Sequence, residues 1–260
     1  MITFSVITIT YNAADVLQPT LDSVLKQDFS TIEHIIVDGA STDNTVAIAE
    51  AYKDMSDSAE NGHVVRIYSE PDKGLYDAMN KGLVRAKGDY VVFLNAGDRF
   101  PTADTLEKVA LAAEVGDGEE RPAVVYGDTD IVDEKGIFLY HRRLQPPKSL
   151  TWQSFRDGML VCHQAFYARL DIARKTPFDT RYRYSADVDW CIKIMREGER
   201  KGLLLRNVHA VVAHYMEEGQ TTKHHWASLR ERFQVMCKHY GLFSTLAKHA
   251  WFVVRKFVKK

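Results

Sequence analysis

The stretch IEHIIVDGASTDNT, residues 32–45, decides the fold. It opens with Ile32, Ile35, Ile36 and Val37 and breaks at Asp38-Gly39 into a run of small polar residues. β-branched side chains favour an extended backbone, whereas Ser41, Thr42 and Asp43 are residues that cap helix starts. Strand, loop and helix therefore follow one another, and the helix is expected to run to about Tyr52.

The same order surrounds this stretch. TFSVITIT (3–10) reads as a strand ending at Tyr11-Asn12, after which Val16, Leu17, Leu21, Val24 and Leu25 recur at helical spacing. Pro19 inside that pattern predicts a kink or a late helix start. HVVRIYSE (63–70) is a third strand, and the polar KDMSDSAENG before it reads as a surface loop. GLYDAMNKGLVRAKG (74–88) reads as a helix closed by Gly88, and DYVVFLN (89–95) as a fourth strand. Repeated strand-helix units predict an α/β fold with a mixed, mainly parallel sheet flanked by helices.

Beyond residue 100 the alternation loosens. A helix is expected near 102–114, AVVYGDTDIVD and GIFLYHRRL read as a hairpin or added sheet layer, and SADVDWCIKIMREG (185–198) reads as a helix. LLLRNVHAVVAHY gives one or two more strands, and helices at roughly 222–240 and 242–258 finish the chain. The economical division is a catalytic domain over 1–220 with a helical C-terminal extension over 221–260.

The 260 residues are 45% hydrophobic, enough for a full core. Cys162, Cys191 and Cys237 are odd in number and form no C-x-x-C pair, so neither a disulfide framework nor a cysteine zinc site is indicated. No signal peptide and no transmembrane span is read, which points to a cytoplasmic chain, with peripheral attachment to the inner face of the membrane as the alternative. The net charge of −1 conceals an asymmetry: residues 221–260 hold nine Lys/Arg against one acid. An acidic body with a basic tail argues against a nucleic-acid binder. The tail interleaves Leu242, Phe243, Leu246, Trp251, Phe252, Val253 and Phe257 with Lys248, Arg255, Lys256, Lys259 and Lys260. That composition suits an anionic lipid surface, a helix packed on the domain, or a homodimer contact.

Ligands of a parallel α/β sheet bind at the carboxyl ends of its strands, and the polar residues gather there. They are Thr10-Tyr11-Asn12, Asp38 to Ser41, Glu70 to Gly74 with Asp72 and Lys73, and Asn95 to Asp98. Each has an ordinary alternative: Asp38 and Asp98 as turn acids, Lys73 as a solvated cation. The functional alternatives are a base or ribose contact for Asp38, a hard-cation ligand for Asp98 and a phosphate contact for Lys73. Asp187 and Asp189, two apart on one helix, cannot share a face, so one of them is a candidate general base. His163 is a candidate acceptor contact, Tyr126-Gly127-Asp128 could line the acceptor side, and His214 is a candidate metal or phosphate contact, though a lone His beside apolar residues is commonly structural.

VITITYN, EHIIVDGASTDNT, SEPDKGLYDAMNKGLVRAKGDYVVFLNAGD and SADVDWCIK, in that order, resemble the signatures of family 2 inverting glycosyltransferases of bacterial polysaccharide type, which have the Rossmann-like GT-A fold. The resemblance implies a donor site of Thr10, Tyr11, Asn12, Asp38, Ser41, Asp72, Lys73, Gly74, Asn80, Asn95 and Asp98, for a nucleotide sugar, usually a UDP-sugar. It implies Asp98 as ligand to Mn²⁺ or Mg²⁺, with His214 added to it here, and Asp187 as catalytic base. His163 and Asp128 complete the set on the acceptor side, for a saccharide or lipid-linked saccharide. The chain departs from the family pattern where adjacent acids are usual: it has Asp38-Gly39, and Asn95 and Gly97 beside Asp98. A catalytically silent nucleotide-sugar-binding protein of the same fold is the second reading, and a nucleotidyltransferase the third.

Overall fold

The computed structural model describes residues 2–116, 119–217 and 225–258, with the side chains of 226–250 in the last segment. Trp251, Phe252, Val253, Arg255, Lys256, Phe257, Lys259 and Lys260 of the basic tail therefore lie outside the described side chains. The first half alternates β1 (Phe4–Thr10), α1 (Ala14–Leu25), β2 (Ile32–Asp38), α2 (Thr45–Ser58), β3 (Val64–Ser69), α3 (Leu75–Arg85), β4 (Tyr90–Phe93) and α4 (Thr105–Ala113). The second half runs β5 (Val124–Val132), β6 (Phe138–His141), β7 (Phe166–Arg169), a short α5 (Leu170–Ala173), α6 (Ala186–Arg200), β8 (Leu205–Met216), α7 (His225–Tyr240) and α8 (Leu242–Val258). Among the described residues these strands form one eight-stranded sheet, ordered β3-β2-β1-β4-β7-β5-β6, with β8 also paired to β5.

β1, β2, β3 and β4 are mutually parallel, β7 is antiparallel to both β4 and β5, and β8 is parallel to β5. The ligand-type loops that follow β1, β2, β3 and β4 therefore leave the sheet at one edge. β1 and β2 are buried along their whole length, so their polar side chains must be satisfied inside. Ser5 Oγ donates to Glu33 Oε1 at 2.5 Å, and Thr8 Oγ1 donates to the Leu94 carbonyl at 2.8 Å. Beneath the site, Phe178 stacks on Trp190 at 4.7 Å, and Phe93 meets both rings edge-on. Aromatic pairs of this kind add about 0.5–1.5 kcal/mol each beyond burial, and they seat α6 against β4.

Three expectations about elements change. α1 runs through Pro19 without a late start. α2 continues past Tyr52 to Ser58 and absorbs the first part of the expected loop, because Tyr52 and Ser56 face the core and Lys53 pairs with Asp57 one turn on. α3 ends at Arg85, and Gly88 does not cap it: a Cβ there would lie 2.7 Å from the Thr3 carbonyl and 2.9 Å from the Ser5 nitrogen. Gly88 thus allows close chain approach beside β1. In the C-terminal region, helical as expected, α7 packs on the body, with Val235, Met236 and Tyr240 buried in the main core.

Gly88→Ala is expected to destabilise the fold by about 2 kcal/mol, since overpacking against fixed backbone commonly costs 1–3 kcal/mol. The urea midpoint checks this, and an unchanged midpoint would mean the strand has room to shift.

Candidate active site

Two left-handed residues mark the sheet edge. Asn12 has φ 46° and Ala40 φ 61°, conformations that a non-glycine residue holds only when its surroundings impose them. Here the two loops clasp each other: Asn12 N–H donates to Ser41 Oγ at 2.8 Å, and Thr42 N–H donates to Asn12 Oδ1 at 2.9 Å.

Asp38 anchors the clasp. Its Oδ1 accepts from Thr10 Oγ1 and Ser41 Oγ, and its Oδ2 from Ser41 N–H and Ser69 Oγ, at 2.5 to 3.1 Å. A carboxylate offers about four lone-pair sites, and all are used. Burial pushes its pKa up, but the bonds from Ser41, Ser69 and Thr10 outweigh that and hold it below the usual range. What faces outward beside it is the Tyr11 ring, 65% exposed, and Asp72. Gly39 makes that approach possible, because a Cβ would lie 2.4 Å from Asp72 Oδ2. Asp72 Oδ1 accepts from Gly74 N–H at 2.7 Å, and Lys73 beside it is exposed. Asn80 is spent elsewhere: its amide bonds both backbone groups of Phe178, tying α3 to that loop.

Asp98 lies in the opposite electrostatic situation. It is only 5% exposed and accepts two bonds, from Met216 N–H at 3.1 Å and Gln164 Nε2 at 2.8 Å. Burial therefore dominates and pushes its pKa up to about 6, against those bonds and the nearby Arg99 charge. Asn95 Oδ1 and Gln164 Oε1 are buried with no hydrogen-bond partner among the described residues. One carboxylate and two free amide oxygens form an all-oxygen set, the type that suits Mg²⁺ or Mn²⁺ when substrate phosphates complete the shell. The residues fit such an ion, although no group of three or more His, Cys, Asp or Glu that could hold a metal occurs among the described residues.

The third group is Asp187, second residue of α6. Its Oδ1 accepts from Tyr76 OH at 3.2 Å and Val188 N–H at 2.9 Å; its Oδ2 meets His163 Nδ1 at 3.2 Å. The other ring nitrogen of His163 lies 3.1 Å from Asn95 Nδ2. An amide nitrogen only donates, so Nε2 accepts, and the ring proton sits on Nδ1, aimed at Asp187. Oδ1 is then filled and Oδ2 keeps one lone pair free. Burial pushes the Asp187 pKa up, but the His163 bond, the Arg232 charge and the Val188 N–H outweigh it and hold the carboxyl below the usual carboxylate range. Asp189 points to the opposite side, fully buried against Lys193, Lys238 and His239.

Asp98, Asn95, His163 and Asp187 therefore form one hydrogen-bonded centre with Gln164, and Asp38, Ser41, Thr10 and Asn12 form the clasp beside it. Two candidates stand apart. The charges acting on the His214 imidazole are those of Asp130 and Arg99, and it is the Met216 amide of this strand that reaches Asp98. Asp128 responds to Asp130, His209 and His141, whereas its neighbour Thr129 points the other way, onto Cys162 beside His163. Gln164, Tyr76 and Arg232 were not among the residues picked from sequence. Only Gln164 carried a signal there, as the neighbour of His163.

Residues 5–175 match the model of glycosyl transferase family 2. The chain is 36% identical over 218 residues to a PGL/p-HBAD biosynthesis glycosyltransferase of Mycobacterium bovis, covering 83% of this chain and 77% of that protein. Among solved structures it resembles S. aureus TarS 1-349 in complex with UDP-GlcNAc, with a TM-score of 0.69 at 18% identity over 98% of this chain and 73% of that one. It also resembles the mannosyltransferase PcManGT of Pyrobaculum calidifontis in complex with GDP-Man and Mn²⁺, with a TM-score of 0.61 at 18% identity over 97% and 75%.

The raised pKa of Asp98 fixes a sign. A carboxyl that ionises near pH 6 folded and 3.8 unfolded favours folding fully below pH 3.8, and that contribution is lost progressively as pH rises from there through 6. Asp98→Asn should therefore stabilise the ligand-free protein by up to about 3 kcal/mol at pH 7.5 but by only about 1 kcal/mol at pH 4.5, with the melting temperature rising accordingly. Thermal shift at the two pH values checks this.

Proposed function

The chain belongs to glycosyl transferase family 2 and has the GT-A fold, and from that premise we propose that it moves one sugar from a nucleotide sugar, a UDP-sugar, to a hydroxyl of a saccharide or lipid-linked saccharide, with inversion. The observation that carries this reading is the single open lone pair on Asp187 Oδ2, held by His163 beside the buried Asp98. An acceptor hydroxyl gives its proton to that oxygen as its own oxygen attacks the anomeric carbon. The bond from that carbon to the diphosphate breaks on the far side, and the configuration inverts. Asp187 is ionised without substrate, so no prior deprotonation is needed.

On the donor side the Tyr11 ring offers a face for a nucleobase, and Asp72 and Lys73 line the exit toward the phosphates. Asp38 acts through Ser41, whose oxygen it fixes. Arg232 places a cation near the reacting centre, and its Nε has no acceptor among the described residues. Mg²⁺ or Mn²⁺, held by Asp98 with the amide oxygens of Asn95 and Gln164, would neutralise charge on the departing diphosphate. With one carboxylate, the free protein should hold such an ion weakly. The names of the relatives support an acceptor in glycolipid or polysaccharide synthesis.

Among the described residues no helix is long and apolar enough to cross a membrane. Leu242, Phe243 and Leu246 on α8 are 52%, 87% and 48% exposed, and with the basic residues of the tail they suit an anionic lipid surface. Phe243→Glu should then reduce flotation with phosphatidylglycerol vesicles several-fold, and equal flotation would remove the lipid role.

Asp187→Asn is expected to lower turnover at least 1,000-fold, roughly the upper range for losing a positioned base, while UDP binding stays within twofold. Calorimetry should also show Mn²⁺ binding that strengthens at least tenfold when UDP is present. Retained transfer in Asp187→Asn would refute the assignment of the base, and tight Mn²⁺ binding without nucleotide would refute the single-carboxylate site.

A further inference from the structure

Helix α6 carries Asp187 at its second position, so the direction of that carboxylate is set by the few residues that lead into the helix. Those residues lack a cap of their own: Ser185, which precedes α6, makes no side-chain capping bond. The backbone N–H groups of this lead-in segment lie outside the helix and need an acceptor from elsewhere in the fold. Here the acceptor is Glu231 of α7, which lies 46 to 48 residues further along the chain. The N–H groups of Arg183, Tyr184 and Ser185 donate to its two carboxylate oxygens at 2.9, 2.7 and 3.1 Å.

Further contacts fix the same pair of helices. Ser185 Oγ donates to the Ser228 carbonyl at 3.2 Å, one turn before Glu231. Two turns after it, Lys238 and His239 bond the buried carboxylate of Asp189 at 2.8 and 2.7 Å. Glu231 itself enters no ion pair among the described residues, so its charge is directed at the backbone amides and at the positive end of the α6 dipole. It is the one acid of residues 221–260.

We propose that Glu231 is a positioning residue for the base, and that α7 is a working part of the catalytic unit. The proposal rests on the glycosyl-transfer reading of Asp187. Without the carboxylate, three amides of the segment that leads into α6 lose their acceptor, and the turn that aims Asp187 loosens. Donor binding is assigned to other elements, at the ends of β1, β2, β3 and β4, and should not respond.

Glu231→Gln keeps an acceptor oxygen without the charge, and Glu231→Ala removes both. Turnover at saturating substrate should fall about tenfold in Glu231→Gln and about 100-fold in Glu231→Ala, the scale that a misplacement near 1 Å produces. UDP affinity and donor KM should stay within twofold, and hydrogen exchange at residues 183–185 should accelerate in both. Glu231→Gln alone carries the test if Glu231→Ala does not fold. Turnover within twofold of the parent, unchanged exchange, or loss of UDP binding in step with turnover would each overturn the proposal. Exchange and UDP binding do not depend on transfer. If the parent chain transfers no sugar yet exchange responds as stated, the transferase reading fails while the clamp on α6 stands.

Discussion

One imidazole joins the two halves of this site. His163 accepts from Asn95 in the loop after β4 and faces Asp187 at the start of α6, residues 68 and 24 positions away in the chain. Because Nε2 is committed to an amide donor, the proton must lie on Nδ1, and Asp187 must receive it on Oδ2. Tyr76 and the Val188 amide fill the other oxygen. The carboxylate is thereby held in place, kept ionised, and left with one lone pair for a substrate. The same contact keeps the Asn95 nitrogen turned toward His163 and leaves its oxygen without a partner.

The two acids of the donor edge show how burial and hydrogen bonding compete. Asp38 and Asp98 both follow buried strands and are both nearly inaccessible, at 1% and 5% exposure. Asp38 has four donors and is stabilised as an anion; Asp98 has two, and burial wins. A satisfied carboxylate makes a frame, and Asp38 accordingly holds two strained loops together. An unsatisfied one favours a cation, and the two free amide oxygens beside Asp98 share that preference. The distinction separates a framing acid from a candidate cation ligand more sharply than their similar places in the sheet.

Much of this was legible in the sequence. The β-branched runs of 3–10, 32–38 and 89–95 marked the parallel half of the sheet, and their carboxyl ends marked Asp38, Asp98 and the clasp residues as candidates. Asp187 and Asp189 were separable by helical spacing, and they do point to opposite sides. The rest depended on tertiary placement. Asn80 is polar and follows a donor loop, yet its amide is consumed by Phe178, a partner 98 residues away. Asp128 and His214 sit at the right level of their strands, but side chains alternate between faces, and a bulged pairing between β5 and β8 hides which face each takes. Gly88 looked like a helix stop because close backbone approach leaves no periodic signal. Gln164 and Glu231 look like ordinary polar residues until the fold sets one against Asp98 and the other against the three amides that lead into α6.

The most direct test is the protonation pattern of the His163 ring, read by two-bond ¹⁵N–¹H correlation on the histidine-labelled protein without ligands near pH 7.5. The geometry predicts a pyrrole-type Nδ1 carrying the proton and a pyridine-type Nε2, with the pattern lost in Asn95→Ala. A proton on Nε2 instead, or on both nitrogens, would contradict the link from Asn95 to Asp187 on which the assignment of the base oxygen stands.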